Sequence, residues 1–374
     1  SLCEDCGDFN YAKRAQTADL SGRHAIVTGS RVKIGFQAAL KLLRAGAHVV
    51  VTTRFPIDAA TRYSREADYA EWCDRLQIHG LDLRHAPSVE LFTRFLAERL
   101  PRLDYILNNA CQTVRRPAGF FAHLVAAEER GPNALSAAVA RTLGGHSELR
   151  AQLDALPDDG SALLASRGPA PAEGILHSAA LSQRRYLDED FASGESLFPT
   201  GRFDEDRQQV DLRATNSWRL RLHEVQTAEL LEVQLVNAVA PYILNARLKP
   251  LMVATHGRHK HVVNVSAMEG QFYRTTKTDK HPHTNMAKAA LNMLTRTSAG
   301  EMFETDRILM TAVDTGWITD ERPHQEKLRI AAEGWHAPLD LVDGAARVYD
   351  PIVRGEAGED LYGCFVKDYE PSPW

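Results

Sequence analysis

Chemistry is most readable in the stretch Thr28-Gly-Ser-Arg-Val-Lys-Ile-Gly35. Gly29 lets the backbone turn sharply and approach a diphosphate, and the start of the helix that follows offers free N–H groups to its negative charge. His281 and His283 titrate near neutrality and are candidate proton carriers. Arg115 and Arg116 offer two guanidiniums to a substrate carboxylate or phosphate, or to the acids Asp188, Glu189 and Asp190. The last reading is preferred. Cys3 and Cys6 supply half of a zinc site, and no second CxxC follows. A frayed terminus with two free thiols is the favoured reading, and no metal is expected.

The elements that position these residues alternate. His24–Thr28 reads as a buried strand, and the helix after it carries Phe36, Ala39, Leu40 and Leu43 on one face. Val49–Thr53 is a β-branched run suited to a strand buried on both faces. A helix near Tyr69 to Leu76, a short strand before Asp82, a helix from Val89 to Leu100 and a strand Leu103–Leu107 follow. Leu230 to Met252 and Met286 to Phe303 read as helices, with strands at His261–Val265 and Arg307–Val313. This rhythm predicts a parallel sheet covered by helices on both faces, with ligands at the carboxyl ends of its strands. From Pro117 to about Ala228 the rhythm stops. Ser136 to Leu156 reads as helical, Asp158–Ser161 and Gly168–Gly174 as connectors, and no strand is expected to join the sheet. The chain divides into an extension (1–20), the first half of the core (21–116), an insertion beside the substrate cleft (117–228), and the second half of the core with the C-terminal segment (229–374).

In order along the chain, these residues resemble the short-chain dehydrogenase/reductase family. The turn Thr28–Gly35, with Gly29, Arg31, Lys33 and Ile34, is similar to the family's TGxxxGxG. Asp82, followed by Leu83, matches the aspartate that holds adenine, and Asn109-Ala110 matches NNAG with Cys111 for its glycine. Asn237 matches the structural asparagine, Ser266 the active-site serine and Lys288 the active-site lysine. Asp314–Thr319, with Gly316 and Thr319, resembles the PGxxxT stretch near the nicotinamide. The resemblance implies an α/β, Rossmann-type doubly wound parallel sheet, a bound nicotinamide cofactor, and a homodimer or homotetramer. Thr53-Arg54 ends the strand where a carboxylate would accept from the ribose of NAD; a guanidinium there suits the 2′-phosphate of NADP, unless it is a solvated surface arginine.

The departures are specific. Lys33 stands at the second glycine of the turn, where it either reaches a phosphate or blocks the usual pose. The family's YxxxK reads Thr284-Asn-Met-Ala-Lys288. Residues four apart share a helix face, so Thr284 should sit one turn from Lys288. An aliphatic hydroxyl is too weak an acid to protonate a carbonyl oxygen, and it leaves a gap where the phenol would reach. Tyr273, His281, His283, water or the substrate would fill it. Tyr273, in Tyr273-Arg-Thr-Thr-Lys277, is the leading candidate, because Lys288 would acidify a phenol. Trp218, Trp317 and Trp335 would wall a cleft or, the commoner case, sit in the core.

The composition is ordinary, with 44% hydrophobic and 25% charged residues and a formal net charge of −5. No broad basic face favours nucleic acid, and no apolar run approaches a membrane span. The first residues lack the apolar stretch of a secretory leader, and five cysteines, an odd number, fit a reducing compartment, so a cytoplasmic protein is expected. Two functions remain open. One is an NADP-dependent oxidoreductase acting on a carbonyl or alcohol with an altered proton donor. The other is a nucleotide-binding pseudoenzyme that recognises a protein partner.

Overall fold

The computed structural model describes residues 2–155, 172–204, 206–257, 259–273 and 277–374. Its centre is one eight-stranded sheet in the order β3-β2-β1-β4-β5-β6-β7-β8. The strands are β1 (His24–Thr28), β2 (His48–Thr53), β3 (Leu76–Gly80), β4 (Tyr105–Asn108), β5 (Lys260–Ser266), β6 (Ile308–Asp314), β7 (Phe365–Lys367) and β8 (Glu370–Ser372). All pair in parallel except β8, which turns back on β7. The order reverses between β1 and β4, and that switch point opens a crevice at the strands' carboxyl ends.

Both faces are covered. Leu40 and Leu43 of the helix Lys33–Arg44 meet Tyr349 and Ile352 of Leu341–Glu356 on one side. Phe92 and Leu96 of Ala86–Arg99 meet Leu244 and Leu248 of Ala240–Ala254 on the other. Each such buried leucine contributes about 1.5–3 kcal/mol relative to exposure.

The helix read from Leu230 to Met252 is in fact three pieces. Thr227–Gln234 is α, Leu235–Val239 is a π turn, and Ala240–Ala254 is α again. Pro241 has no N–H to give the Asn237 carbonyl and its ring crowds that group. The turn widens, and the Ala240 N–H reaches back to the Leu235 carbonyl. The helix Pro56–Tyr63, absent from the sequence reading, follows β2 directly.

Among the described residues of 117–228 no strand joins the sheet, and the segment contributes isolated bridges at Phe203 and Arg221. Its helices Ala137–Arg141 and Gly144–Asp154 lie along the open edge of β3. There the Ile78 N–H donates to the Thr142 carbonyl at 2.7 Å and the Gly80 N–H to His146 Nδ1 at 3.3 Å. Backbone groups that would otherwise invite another strand are thereby satisfied. The connector expected at Asp158–Ser161 lies outside the described residues, as does the second connector up to Pro171; Glu173 and Gly174 begin a short helix, Glu173–Leu176.

The N-terminus corrects the expectation of fraying. Glu4–Arg14 is a helix docked on Leu341–Glu356, with Lys13 Nζ 2.6 Å from the fully buried Asp350. The sequence missed this because both partners are polar.

Three histidines are buried in their neutral form. Burial pushes His79 down to about 4 and His261 to about 3; burial and then the neighbouring His79 push His146 to about 3. Folded values below the unfolded one give stability that is present above pH about 6.5 and lost as pH falls toward the folded values. Each site loses about 2 kcal/mol between about pH 7 and pH 5. Burial raises Glu128 to about 7 and Asp314 to about 6, which offsets part of this. Urea unfolding should therefore show a net loss of a few kcal/mol at the lower pH; equal or greater stability there would contradict the burial of these rings as neutral groups.

Candidate active site

A cleft of about 960 Å³ lies over the carboxyl ends of β1, β4, β5 and β6. The turn after β1 forms one wall. Gly29 has φ +65°, and a Cβ on it would fall 2.8 Å from Ala110 Cα. A Cβ on Gly35 would fall 2.2 Å from Asn109 Nδ2. Asn109 Nδ2 donates to the carbonyls of Thr28 at 3.0 Å and Gly29 at 3.2 Å, and the Ala110 N–H donates to Thr28 Oγ1 at 3.0 Å. The β1 turn and the β4 loop are thus clasped together. Thr28 is part of this clasp and does not itself border the cleft. The helix from Lys33 has no side-chain cap at Val32, so its first N–H groups are free for an anion.

Lys33 adopts φ +58°, the left-handed region that glycine reaches without strain. Its ammonium lies 3.3 Å from Glu321 Oε1 rather than over the turn. Burial opposes ionisation of Glu321, but Lys33, Arg116 and Lys327 and the Thr319 hydroxyl outweigh it and hold the carboxyl down to about 2. Ile34 packs under Gly344. Arg31 pairs with Asp58 at 2.7 Å.

Arg54 has no carboxylate within ion-pair distance among the described residues. Its guanidinium sits 4.6 Å from the Phe121 ring centroid and 5.5 Å from that of Phe55, and burial lowers it to about 10. Phe121 belongs to the helix Ala118–Glu129, so the segment 117–228 covers the Arg54 end of the cleft as well as the far end, where it supplies Trp218. Asp82 and Leu83 also border the cleft. The Asp82 carboxylate is held by Arg84 at 2.6 Å, which in turn meets Glu232 at 3.0 Å.

At the other end Ser266, Thr284 and Lys288 converge. Ser266 Oγ donates to Asn292 Oδ1 at 2.5 Å, and Lys288 Nζ donates to the Val265 carbonyl at 2.7 Å. Among the described residues Thr284 Oγ1 is buried without a hydrogen-bond partner. Gly316, at φ +78°, and Thr319 line the same end. Asn237 stands behind the cleft: its Oδ1 accepts the Gln112 N–H at 2.7 Å and its Nδ2 donates to the Gln112 carbonyl at 3.2 Å.

Tyr273 is not brought to this group. It is 66% exposed, lies outside the cleft, and its N–H donates to the terminal Trp374 carbonyl. Tyr273 thus stands apart from the cleft-lining Ser266, Thr284 and Lys288. Arg274–Thr276 of that motif lie outside the described residues. His283 is buried away from the cleft, 3.4 Å from Glu229. Arg115 and Arg116 are both held in ion pairs, Arg115 with Asp190 and Glu189 of the segment 117–228 and with Glu232, and Arg116 with Asp211 of that segment. Trp218 and Trp317 line the cleft rather than the core. Sequence reasoning placed Asp314 in the PGxxxT-like stretch but gave it no role of its own; it stands at the end of β6 beside Ser266. Burial, then the neighbouring Glu269, raises its carboxyl to about 6 against the pull of Arg347.

The family model described as short chain dehydrogenase matches residues 23–128. The bovine dehydrogenase/reductase SDR family member 13 is 37% identical over 112 residues, 27% of each chain. The chain belongs to the short-chain dehydrogenase/reductase family. Across nearly its whole length it is similar to the uncharacterized protein R665 of Acanthamoeba polyphaga mimivirus, at 30% identity over 363 residues, 94% of this chain and 67% of that one. Its fold is that of the Pseudomonas aeruginosa RhlG/NADP active-site complex, with a TM-score of 0.53 and 17% identity over 93% of this chain and 94% of that one. The family model's match ends at residue 128, inside the segment 117–228 and before Thr284 and Lys288.

Proposed function

We propose that the protein is an NADP-dependent oxidoreductase that moves hydride between the nicotinamide and a carbonyl or alcohol, with a proton donor other than the family's phenol. The observation that carries this reading is Arg54, a cation with no carboxylate within ion-pair distance among the described residues and only the longer-range influence of Asp82 and Glu232, in the same cleft as Ser266 and Lys288. The residues fit the cofactor: Gly29 at φ +65° makes the sharp turn that a diphosphate can approach, and the helix at Lys33 has no side-chain cap on its first N–H groups. Bound NADPH supplies the hydride. In this reading Arg54 holds the 2′-phosphate, Lys288 the ribose, and the Ser266 hydroxyl orients the reacting oxygen. The RhlG complex, named as an NADP complex, supports the choice of cofactor.

Charge-assisted bonds to a phosphate are worth roughly 1.5–3 kcal/mol, or about ten- to a hundredfold in affinity. The parent should bind NADPH more tightly than NADH, and Arg54→Ala should remove most of that difference while leaving NADH within about twofold. Equal affinities of the parent for the two cofactors, in a fluorescence titration, would contradict it. The second reading, a nucleotide-binding module without turnover, is favoured by Thr284 and by the outward position of Tyr273. It predicts cofactor binding with no hydride transfer.

A further inference from the structure

The proton donor can be named. On the oxidoreductase reading, we propose that His281 exchanges the proton with the substrate oxygen, held in position by Trp218 from the segment 117–228. Two contacts fix the ring and a third, from the backbone N–H, fixes the chain that carries it. His281 and Trp218 stack with centroids 3.9 Å apart and planes 6° from parallel. His281 Nδ1 lies 3.0 Å from the Trp218 carbonyl, and the His281 N–H donates to the Leu220 carbonyl at 2.7 Å. A carbonyl only accepts, so Nδ1 carries the hydrogen and Nε2 is left as the proton-exchanging atom. His281 borders the cleft, whereas Tyr273 and His283 do not. It immediately precedes the helix Pro282–Asp306, and its carbonyl accepts the N–H of Thr284, which places it one turn from Thr284 and two from Lys288. It also sits at φ +42°, an uncommon conformation for a histidine. Backbone strain, a stacked ring and a fixed tautomer together hold one imidazole at the end of the cleft where the phenol is missing.

The reaction balances. In reduction the carbonyl carbon receives hydride from NADPH and the π pair moves to oxygen. That oxygen takes the proton from Nε2 of the imidazolium, and the neutral ring recovers a proton from water. Oxidation of an alcohol runs the same transfers backward. The charged groups around the ring are Glu269 from the turn after β5, which favours the imidazolium, and His283 and Lys277, which oppose it. Burial is the largest influence and lowers the ring's titration below the ordinary histidine range. Reduction should therefore slow as pH rises through a value below about 6.5.

The test is His281→Asn, measured with NADPH and 2,3-butanedione, a reactive diketone used as the carbonyl probe. Asparagine tolerates the left-handed backbone, and its side-chain amide can still donate to the Trp218 carbonyl, so the fold is kept while Nε2 is removed. Turnover should fall roughly a hundredfold or more, NADPH affinity should stay within about threefold, and the pH limb should vanish. In the parent, the NMR titration of the His281 ring should move when NADP+ is added. Turnover in His281→Asn equal to the parent's, or the same pH limb, overturns the assignment. If the parent does not turn over this probe, the NMR arm decides: an unmoved His281 titration with NADP+ bound overturns it, and a moved one supports it. Failure of the parent to bind NADPH at all would instead remove the oxidoreductase reading on which the assignment rests.

Discussion

Arg115→Met is expected to cost about 3–5 kcal/mol of stability, the range for removing one partner of a buried ion pair. The Arg115 side chain is 5% exposed and faces three carboxylates. Asp190, at 1% exposure, is 2.5 Å from Nη1 and 2.9 Å from Nη2, with Glu189 at 3.0 Å and Glu232 at 3.1 Å. Burial pushes the Asp190 carboxyl up, and Arg115 with the N–H groups of Tyr186 and Leu187 reverses this to a value below the usual range. Without the guanidinium, a carboxylate stays buried with two backbone donors and no counter-charge. The same arginine ties the segment 117–228 to Glu232, and Glu232 to Arg84 and Asp82 at the cleft. NADPH affinity should fall along with stability. Adding Asp190→Leu should recover part of the loss, since it removes the orphaned charge. Urea unfolding of the three variants checks this, and a loss below about 1 kcal/mol for Arg115→Met would show that the network contributes little.

Lys288→Met should lower turnover by roughly a hundredfold or more, the scale of losing a preorganised charge at a reacting centre. The ammonium is buried, donates to the Val265 carbonyl, and projects from the helix that also carries Thr284 and the Ser266 partner Asn292. Methionine has nearly the same length and packs in the same channel, so stability should change by less than about 1.5 kcal/mol. NADPH consumption with 2,3-butanedione and urea unfolding read the two effects separately. Undiminished turnover would remove Lys288 from the chemistry.

The strands and the nucleotide turn were legible because buried β-branched runs and a glycine at a sharp turn are local signals. His24–Thr28 was read with the bounds the structure has, and Lys260–Ser266 within a residue at each end. Lys33 was legible as a departure but not in its outcome, because Glu321 lies 288 positions away and nothing local announces that pair. The pairing of Trp218 with His281 was not legible for the same reason: their stacking joins the segment 117–228 to the start of a distant helix. Tyr273 was expected in the loop over the site, but no local signal says which way that loop leaves the sheet, and the structure leaves the residue 66% exposed. The N-terminal helix was read as frayed because its docking depends on ion pairs with Asp340 and Asp350 rather than on an apolar stripe.

The central claim is that this cleft binds NADP with its reacting end at Lys288 and His281. A crystal structure of the parent soaked with NADP+ tests it most directly. The account predicts the 2′-phosphate against the Arg54 guanidinium, the diphosphate on the N–H groups at the start of the helix Lys33–Arg44, and the nicotinamide between Lys288 and the Gly316–Thr319 loop with His281 beside it. A nicotinamide turned away from Lys288, or an adenosine end placed elsewhere with Arg54 left against Phe121 alone, would contradict it.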